Sequence, residues 1–581
     1  MDKGGRPKDP IWTNFWCIKE GTKTMAKCKI CSYTMGGKAD RMKNHLSKCK
    51  KTISPNFVES ETLNSSAVQR NNDSSSSAEN KVNDCSMLEK ENGDSSASLK
   101  TAKRPRLLQD DLEHFVIQTD SNMKHELDLQ VAKFFYSCNI PFNVAEQAEF
   151  LKLIQKLRPG YKPPTRKALS DNLLNEITTL LENEMMSAIE NKECTLMEDG
   201  WSNIHNEPVI ASCLHTNGKS YFLNAEECGG NKKTAEYCKD VTERSIKIAE
   251  EKYKAKVISV VTDNENKMDK LRQMLVEDRS DLIVYGCSAH WMNLLAQDIC
   301  PTTIIKHVID IQKYFRNHHQ PAAWLKEFPD TVKPQLPNET RWNSQTECIS
   351  TFIKNRNAYL SICEKYENEI DTRIQRLVND YNLFKQVKDL LQQLQPITDA
   401  VNNVQSDEAT IADACYEWLK LKNCPALKPH TDVISKRMYL ALKPFHFLAF
   451  MTDPKHRNDD KINSEQKEMA REWLMSVMPD SLSLLLEYDA EAEPFPKSFF
   501  KTTDVKAKVW WKALYNTKIC PEFIHLMVKL HSIPCSSASI ERIFSNFSYI
   551  HSKLRNRLGV QKAAKLVFCY RMLRGHNDLD W

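Results

Sequence analysis

Residues 534–558 read PCSSASIERIFSNFSYIHSKLRNRL, and this stretch decides how the rest of the 581-residue chain is interpreted. Its apolar residues recur at the three- and four-residue steps of a helix: Ile540, Ile543, Phe544 and Phe547. Ser536 and Ser537 precede this stripe as candidate N-caps. Glu541 therefore falls in an early turn of a helix that is built to pack. Taken alone, it would be a surface residue of an amphipathic helix.

Two aspartates upstream supply partners for Glu541. Asp199 ends the strand-like run CTLMEDGWS, and Asp263 ends the run KVISVVTDN. Residues 193–300 follow the order three strands, helix, strand, helix, strand. This is the order of a ribonuclease-H-like domain, in which the first and fourth strands are neighbours and would place the two aspartates side by side. Three carboxylates in one place suit magnesium-dependent phosphoryl transfer, although a lone aspartate after a strand is usually a turn residue.

The composition is that of a folded protein with one basic end. Apolar residues make up 41% and charged residues 27% of the chain, which is ordinary for globular domains. No signal peptide or membrane span is apparent, so the 19 cysteines are interpreted as reduced thiols, some of them metal ligands. Residues 1–50 hold 12 Lys/Arg against 4 Asp/Glu, and the remainder holds 69 against 72. Positive charge is thus concentrated where a polyanion would be met.

Residues 1–50 have the spacing of a zinc finger. A C-x2-C pair and an H-x3-C pair supply four ligands: Cys28, Cys31, His45 and Cys49. The first pair suits a tight turn, and the second lies on one face of a helix. The aromatic residues ahead of the ligands are expected to form a small core: Trp12, Phe15 and Trp16. Basic residues on or near the helix are candidate DNA-phosphate contacts: Lys38, Arg41 and Lys43. The alternative, unrelated thiols and a histidine, fits this spacing poorly.

The remaining chain divides into a linker and helical blocks. Residues 51–106 are rich in Ser, Asn and charge, which predicts a disordered linker. The linker ends in KRPR at residues 103–106, which is either a nuclear localisation signal or solvated surface. Residues 107–192 have helical periodicity, and residues 345–530 predict an all-helical insertion in which Pro396 ends one apolar stripe. That stripe consists of Ile374, Leu377, Tyr381, Phe384, Val387, Leu391 and Leu394.

Three sets of short motifs recur along the chain. The first set is IPF at residues 140–142, Phe150, PGY at 159–161 and PTR at 164–166. The second is CSAH at 287–290 and TRWNS at 340–344, and the third is WW at 510–511, IPCSS at 533–537 and ERIFS at 541–545. These motifs resemble those of hAT-superfamily DNA transposases: the first set is similar to the family's N-terminal helical region, and the third to its C-terminal signature, often called its dimerisation region. The finger resembles a BED finger, a DNA-binding module of transposases and chromatin proteins.

The resemblance implies an α/β fold combined with an all-α part. The catalytic domain would be ribonuclease-H-like, with its first part at residues 193–344 and its last part, including the dimerisation region, at 531–581. The helical insertion at 345–530 would interrupt it. Residues 107–192 would be a helical region for DNA binding or oligomerisation. Residues 560–573 are also more apolar than a solvated tail, which predicts a homodimer or a higher oligomer.

The resemblance further implies a nuclear cut-and-paste transposase that leaves hairpins on the flanking DNA. Asp199, Asp263 and Glu541 would hold Mg²⁺ or Mn²⁺, while the finger would hold Zn²⁺. The DNA partners would be double-stranded terminal inverted repeats and target DNA, and no membrane is involved. Cys287 and His290 are candidate supports of the active site, although a structural role for His290 is an equal alternative.

Two other functions fit parts of the sequence. A domesticated, transposase-derived regulator would keep the zinc finger and bind DNA without transposing it, although the three intact acids argue against this. An ordinary nuclease of ribonuclease-H type is disfavoured by the finger and the long insertion.

Arg341 and Trp342 provide a test of the transposase interpretation, because the resemblance implies that they hold a displaced nucleotide during hairpin formation. Stacking on an aromatic face recovers about 1–3 kcal/mol per base. Trp342→Ala is then expected to keep first-strand nicking, to lose most hairpin product and to keep its melting temperature. If Trp342 instead anchors the insertion, stability falls by roughly 3–5 kcal/mol and both steps fail. Nicking yield, hairpin yield and melting temperature, measured together, distinguish the two roles.

Overall fold

The computed structural model describes residues 10–20, 23–36, 39–49, 119–338, 343–457, 459–501, 505–552, 555 and 557–575. The chain separates into two compact units, Met1–Arg104 and Pro105–Trp581. The predicted linker at 51–106 and its basic run lie outside the described residues. The finer division of the chain into six segments stays a prediction.

The N-terminal unit is a three-stranded antiparallel sheet followed by a helix. A 3₁₀ turn at Pro10–Asn14 leads into β1 (Phe15–Glu20), β2 (Lys23–Cys28), β3 (Thr34–Gly36) and α1 (Ala39–Cys49). Phe15 is buried in its core and Trp12 packs against that core, as predicted. Trp16 is 51% exposed, so the prediction for it is wrong. Successive strand residues point to opposite faces, and Phe15 takes the inner one.

The larger unit is organised around one five-stranded mixed sheet. Its strands are β4 (Glu193–Ser202), β5 (Pro208–Thr216), β6 (Lys219–Glu227), β7 (Lys256–Thr262) and β8 (Ile283–Gly286). They lie in the order β6-β5-β4-β7-β8. β4 pairs antiparallel with β5 and parallel with β7. The prediction that the first and fourth strands are neighbours is confirmed.

Helices precede the sheet and connect its strands. The preceding helices are α2 (Ser121–Ser137), α3 (Ala148–Leu157), α4 (Arg166–Ser170) and α5 (Asn172–Ile189). The connecting and following helices are α6 (Ala235–Lys247), α7 (Asn266–Asp278), α8 (Ser288–Ile299), α9 (Thr302–Asn317) and α10 (His319–Glu327). α6 packs on β4, β5 and β6.

The described part of the segment predicted as an insertion is helical. Its α-helices are α11 (Asn343–Lys365), α12 (Thr372–Asn379), α13 (Tyr381–Val404), α14 (Ile411–Lys422), α15 (Thr431–Ala441), α16 (Pro444–Met451), α17 (Ser464–Val477), α18 (Leu482–Ala490), α19 (Ala507–Ala513) and α20 (Pro521–Leu530). Among the described residues, no helix has the length and apolarity needed to cross a membrane.

The apolar stripe predicted to end at Pro396 continues beyond it. α12 and α13 are separated at Asp380, whose carboxylate caps α13 by accepting from the Leu383 N–H at 3.0 Å. α13 then runs through Pro396 to Val404. A proline inside a helix costs about 3 kcal/mol. Burial of a larger aliphatic side chain contributes about 1.5–3 kcal/mol, and three beyond the proline are buried: Ile397, Val401 and Val404. Their burial outweighs the cost of the proline.

The helix predicted from residues 534–558 is present as α21 (Ala538–Ile550). Its inner face buries Ile540, Ile543 and Phe547, while Phe544 is half-buried. Neither candidate serine caps the helix through its side chain. Ser537 stands at the N-cap position without such a bond, and the Ser536 hydroxyl instead donates to the Val404 carbonyl at 2.7 Å.

The last described helix, α22 (Val560–Arg574), is an internal element. It packs against α2, α5, α21 and β6, and its apolar side chains are largely buried there. The apolar excess of residues 560–573 therefore fills the core of its own chain. This excess alone therefore does not demonstrate a contact between copies, because composition does not distinguish an internal partner from an external one.

β4 carries a buried carboxyl on the face that α6 covers. The Glu198 side chain accepts from the Ser212 hydroxyl at 2.6 Å and from the Thr242 hydroxyl. Ser212 also bonds Ser245 of α6 at 2.9 Å. Burial raises the pKa of Glu198, although these hydroxyl donors oppose the rise. The fold thus satisfies an acid in its interior with neutral donors instead of a cation.

Replacing this acid by its amide tests the cost of burying it. Because the folded-state pKa of Glu198 is raised, its stabilising contribution is present below the unfolded pKa of about 4.3 and is lost as pH rises through the folded pKa. Glu198→Gln should therefore melt above the wild type, by more at pH 8 than at pH 5. A folded-state pKa that is higher by one corresponds to about 1.4 kcal/mol of stability lost at high pH. Exposed Glu227→Gln is the control, and a pH-independent difference for Glu198→Gln would refute the expectation.

Candidate functional site

The register of the sheet brings Asp199 and Asp263 to one edge. β4 and β7 are parallel, and their last paired residues are Met197 and Val261. Asp199 and Asp263 each stand two residues beyond that pair. Asp263 directly follows β7, as predicted, but Asp199 lies inside β4, which continues to Ser202 by pairing with β5. Asp199 thus lies where β4 extends beyond the end of its pairing with β7.

Glu541 reaches the same edge from the first turn of α21. Trp201, two residues beyond Asp199 on the same face of β4, packs between the rings of Phe544 and Phe547 at centroid distances of 4.4 and 4.8 Å. Aromatic pairs at this separation are favourable beyond their buried area. This contact holds α21 against the end of β4.

Residues 533–539, which we call the clamped segment, fix the start of α21 from the sheet side. The Ser288 N–H donates to the Cys535 carbonyl at 3.0 Å, and the Tyr285 hydroxyl donates to the Pro534 carbonyl. The Ser537 N–H donates to the Cys287 sulfur at 3.4 Å. The clamped segment is thereby bonded to the end of β8 and the start of α8.

The turn between α13 and α14 holds the clamped segment from the other side. The Cys535 N–H donates to the Ala409 carbonyl at 3.2 Å, and the Ile411 N–H donates to the Ile533 carbonyl at 3.1 Å. The Asp407 carboxylate accepts from the Ser539 hydroxyl at 2.6 Å and pairs with Arg542, the residue after Glu541. Charge-assisted bonds of this kind are among the stronger ones, so this pair orients the first turn of α21.

The electrostatics of the edge are those of crowded acids. Burial, followed by the charges of Asp263 and Glu541, raises the pKa of Asp199 well above its usual range. The pKa of Asp263 is raised by burial and by the charge of Glu265, and His290 and Lys267 oppose this rise. The three predicted acids are therefore brought together, and a cation at the edge would relieve their repulsion.

The candidate supports Cys287 and His290 also lie at this edge. Cys287 is buried, and burial followed by the charge of Glu541 raises its pKa to about 11, so the sulfur is a neutral thiol that accepts from Ser537. Its carbonyl accepts from the Asn264 side chain at 2.8 Å. His290 is half-buried on α8, and burial lowers its pKa although the charge of Asp263 acts oppositely. Cys287 is thus a connecting residue, and a functional role for His290 stays a prediction.

Several residues of the edge carry no signal in the sequence. Asp407 and Arg542 are about 135 positions apart, and only the fold pairs them. Lys233, in the loop between β6 and α6, lies so close to Gly200 that a β-carbon there would stand 1.9 Å from its Nζ. Lys267 pairs with Glu265 near Asp263. Lysines in loops and at helix starts are too common for the sequence to single these out.

The finger ligands form the tightest ligand cluster in the described part of the chain. One ligand atom from each of Cys28, Cys31, His45 and Cys49 lies within 4.8 Å of all the others. The Cys31 sulfur lies 3.1 Å from His45 Nε2, and the His45 ring stacks on Tyr33. Tetrahedral zinc with Zn–S bonds of about 2.3 Å needs sulfurs about 3.8 Å apart. The geometry and the donor set both fit zinc.

The protonation of the ligands also suits a metal. Burial tends to raise the pKa of Cys28, but the N–H groups of Cys31 and Ile30 and the His45 ring lower it to about 6. Burial and the neighbouring Cys31 and Cys28 raise the pKa of Cys49 to about 11. Zinc would displace that remaining proton, since thiolates are the ligands.

The three acids at the sheet edge do not form such a tight set. Among the described residues, their ligand atoms are not gathered into a group of the kind that the finger ligands form. A two-metal site, with ions about 3.5–4 Å apart, needs its outer carboxylates more widely spaced than a single tetrahedral ion does. Carboxylate oxygens are the donors that hard cations prefer, so the donor set fits magnesium or manganese.

The predicted DNA contacts are described only in part. Arg41 and Lys43 lie on α1 with exposed side chains, as a phosphate contact requires. Lys38, Arg341 and Trp342 lie outside the described residues. Their roles stay predictions.

Two family models match the sequence. Residues 164–314 match a domain of unknown function (DUF659), and residues 487–573 match the hAT family C-terminal dimerisation region. The first match contains Asp199 and Asp263, and the second contains Glu541. No curated protein matches the chain.

Zinc removal is expected to unfold the finger. Structural zinc contributes on the order of 10 kcal/mol to a unit of this size. Cys31→Ser should therefore lose bound zinc and the dispersed amide spectrum of residues 10–49, and the larger unit should keep its melting temperature. Cys17→Ser, an exposed thiol of the same finger outside the ligand set, should keep both. A Cys31→Ser finger that stays folded without metal would refute the zinc assignment.

Proposed function

Since the two matches support an hAT-family transposase, we propose that this chain is a cut-and-paste DNA transposase. It binds transposon ends and performs metal-dependent strand cleavage, hairpin formation and strand transfer. The proposal includes a ribonuclease-H-like catalytic domain, and the strand order β6-β5-β4-β7-β8 with parallel β4 and β7 supports it.

The observation that carries the proposal is the meeting of Asp199, Asp263 and Glu541 at one edge of the sheet. The charges of Asp263 and Glu541 both raise the pKa of Asp199. Three acids held against their mutual repulsion do not stabilise a fold, since like charges oppose one another. Their arrangement has a purpose when cations and a phosphodiester occupy the edge.

In this mechanism the three carboxylates would hold Mg²⁺ or Mn²⁺. The bound ions would activate a water or a 3′-hydroxyl and would stabilise charge on the phosphorus and the leaving oxygen. The chain contributes rigid placement: Asp199 is fixed by the pairing of β4 with β5, and Glu541 is fixed through the Asp407–Arg542 pair. Placement within a fraction of an ångström is what allows oriented groups to lower a barrier.

The other parts of the chain have supporting roles in the proposal. The zinc finger, of BED type, would bind double-stranded DNA through Arg41 and Lys43 with Lys38, and Arg341 with Trp342 would hold the displaced nucleotide. A nuclear location follows from the substrate. The match to the hAT dimerisation region supports homo-oligomerisation, which lets one assembly hold two transposon ends.

A domesticated regulator is the second candidate, because the ligand cluster of the finger fits a DNA-binding regulator as well as a transposase. Such a protein would bind DNA through its finger and leave the acids without a catalytic task. Its DNA binding would survive loss of any of the three acids, and it would cut no DNA. Strand cleavage therefore separates the two functions.

Removing one acid at a time tests the transposase proposal. Asp199→Asn, Asp263→Asn and Glu541→Gln each remove a ligand charge with little change of shape, so cleavage should fall by about three or more orders of magnitude while DNA binding persists. The assay is plasmid or transposon-end cleavage in Mg²⁺ and in Mn²⁺, beside DNA-binding affinity. Glu198→Gln makes the same acid-to-amide substitution one residue from Asp199 on the opposite face and should retain cleavage. Comparable cutting by Glu541→Gln would exclude this site as the catalytic one.

A further inference from the structure

Lys233 occupies an unusual place beside the acidic edge. It lies in the loop between β6 and α6, immediately before Thr234, whose hydroxyl caps α6 by accepting from the Tyr237 N–H at 3.3 Å. Its ammonium lies against the backbone of Gly200, where a β-carbon would stand 1.9 Å from Nζ. Gly200 does not have a positive φ, so its backbone conformation does not demand glycine. The absent side chain instead makes room for the ammonium.

Lys233 is half-buried, yet within the described residues its ammonium has no hydrogen-bond or ion-pair partner. Other lysines nearby are paired: Lys267 with Glu265, and Lys239 with Glu243 and Asp278. Partial burial of a cation without a partner is unfavourable. An ammonium held in this state is available to an anion that the chain itself does not supply.

The position of Lys233 complements that of Glu541. Side chains of β4 alternate between faces, so position 200 faces α6, whereas Asp199 and Trp201 face α21. Lys233 therefore borders the edge on the α6 side, and Glu541 borders it on the α21 side. The charge of Lys233 acts on three groups near this edge, since it tends to lower the pKa values of Asp199, Cys228 and Cys238. Burial is the larger effect and raises all three pKa values overall.

On the premise of the proposed function, we infer that Lys233 binds a backbone phosphate of the DNA strand in the active site, next to the phosphate that is cut. A polyanionic strand crossing an edge of three acids needs cations beside its path. Lysine supplies a compact point charge for this purpose. Because Gly200 has no β-carbon, the ammonium can lie against the backbone next to Asp199.

The test compares four variants of the 581-residue chain. Lys233→Met removes the charge, and Lys233→Arg keeps it. Gly200→Ala places a β-carbon where the ammonium lies and so displaces it. Lys232→Met removes the exposed neighbouring lysine and is the matched control. With supercoiled plasmid in Mn²⁺, Lys233→Met and Gly200→Ala should each cut about 10- to 100-fold more slowly, the range for a lost charged hydrogen bond. Lys233→Arg should recover part of the rate, and Lys232→Met should match the wild type.

Two further readouts separate a phosphate contact from a structural role. The double variant Gly200→Ala/Lys233→Met should be no slower than Lys233→Met alone, because both changes remove one contact. The logarithm of duplex affinity, measured in EDTA with a short random-sequence duplex, should fall less steeply with the logarithm of salt concentration in Lys233→Met, by about 0.9 for one lost phosphate.

An unchanged salt slope and plasmid rate in Lys233→Met would overturn the inference, and so would a slow rate explained by a lower melting temperature. A wild-type protein that cuts no plasmid in Mg²⁺ or Mn²⁺ would count against the proposed function instead. The salt slope in EDTA needs no cleavage, so it decides the phosphate contact of Lys233 in that case as well.

Discussion

The clamped segment, residues 533–539, is the constraint on which the arrangement of the acids depends. Asp199 and Asp263 belong to adjacent strands, so the sheet alone brings them together. Glu541 follows Asp263 by more than half the length of the larger unit, and no local rule places it. Backbone bonds to Ser288 on one side and to Ala409 on the other prevent the segment from sliding. Because the end of this segment forms the first residues of α21, the same bonds set the position of Glu541.

This constraint connects the helices of residues 343–530 structurally to the sheet that carries Asp199 and Asp263. The end of α13 and the turn that follows it hold one side of the clamped segment through Val404, Asp407 and Ala409. Trp511 ties the later helices together by donating its indole N–H to the Thr452 carbonyl at 2.8 Å. The buried apolar residues of the sheet and of these helices form one continuous core. A change in the turn would therefore be transmitted to Glu541 through a few hydrogen bonds.

Two neighbouring acids of β4 illustrate how the pleat assigns different tasks to similar residues. Glu198 points toward α6 and is satisfied by the hydroxyls of Ser212 and Thr242. Asp199 points the other way, where the charges that raise its pKa are those of two other acids, Asp263 and Glu541. The environment of Glu198 supplies hydrogen-bond donors that belong to the fold. The environment of Asp199 instead leaves a repulsion between acids that a bound cation would relieve. On the α6 side of the same edge, the Lys233 ammonium is likewise without a partner of opposite charge among the described residues.

The sequence by itself determined those features that depend on spacing and local periodicity. Two close ligand pairs predicted Cys28, Cys31, His45 and Cys49, because a turn and a helix each have a fixed geometry. The order of strands predicted that β4 and β7 are neighbours, and hence that Asp199 and Asp263 meet. Tertiary structure alone decided which surface each apolar residue meets: Trp16 faces outward, α13 continues past Pro396, and α22 is buried in its own chain. It also decided the pairing of Asp407 with Arg542 and the contact of the Lys233 ammonium with the backbone of Gly200. These contacts join residues far apart in the chain, and a local pattern records the period of an element but not the identity of its partner.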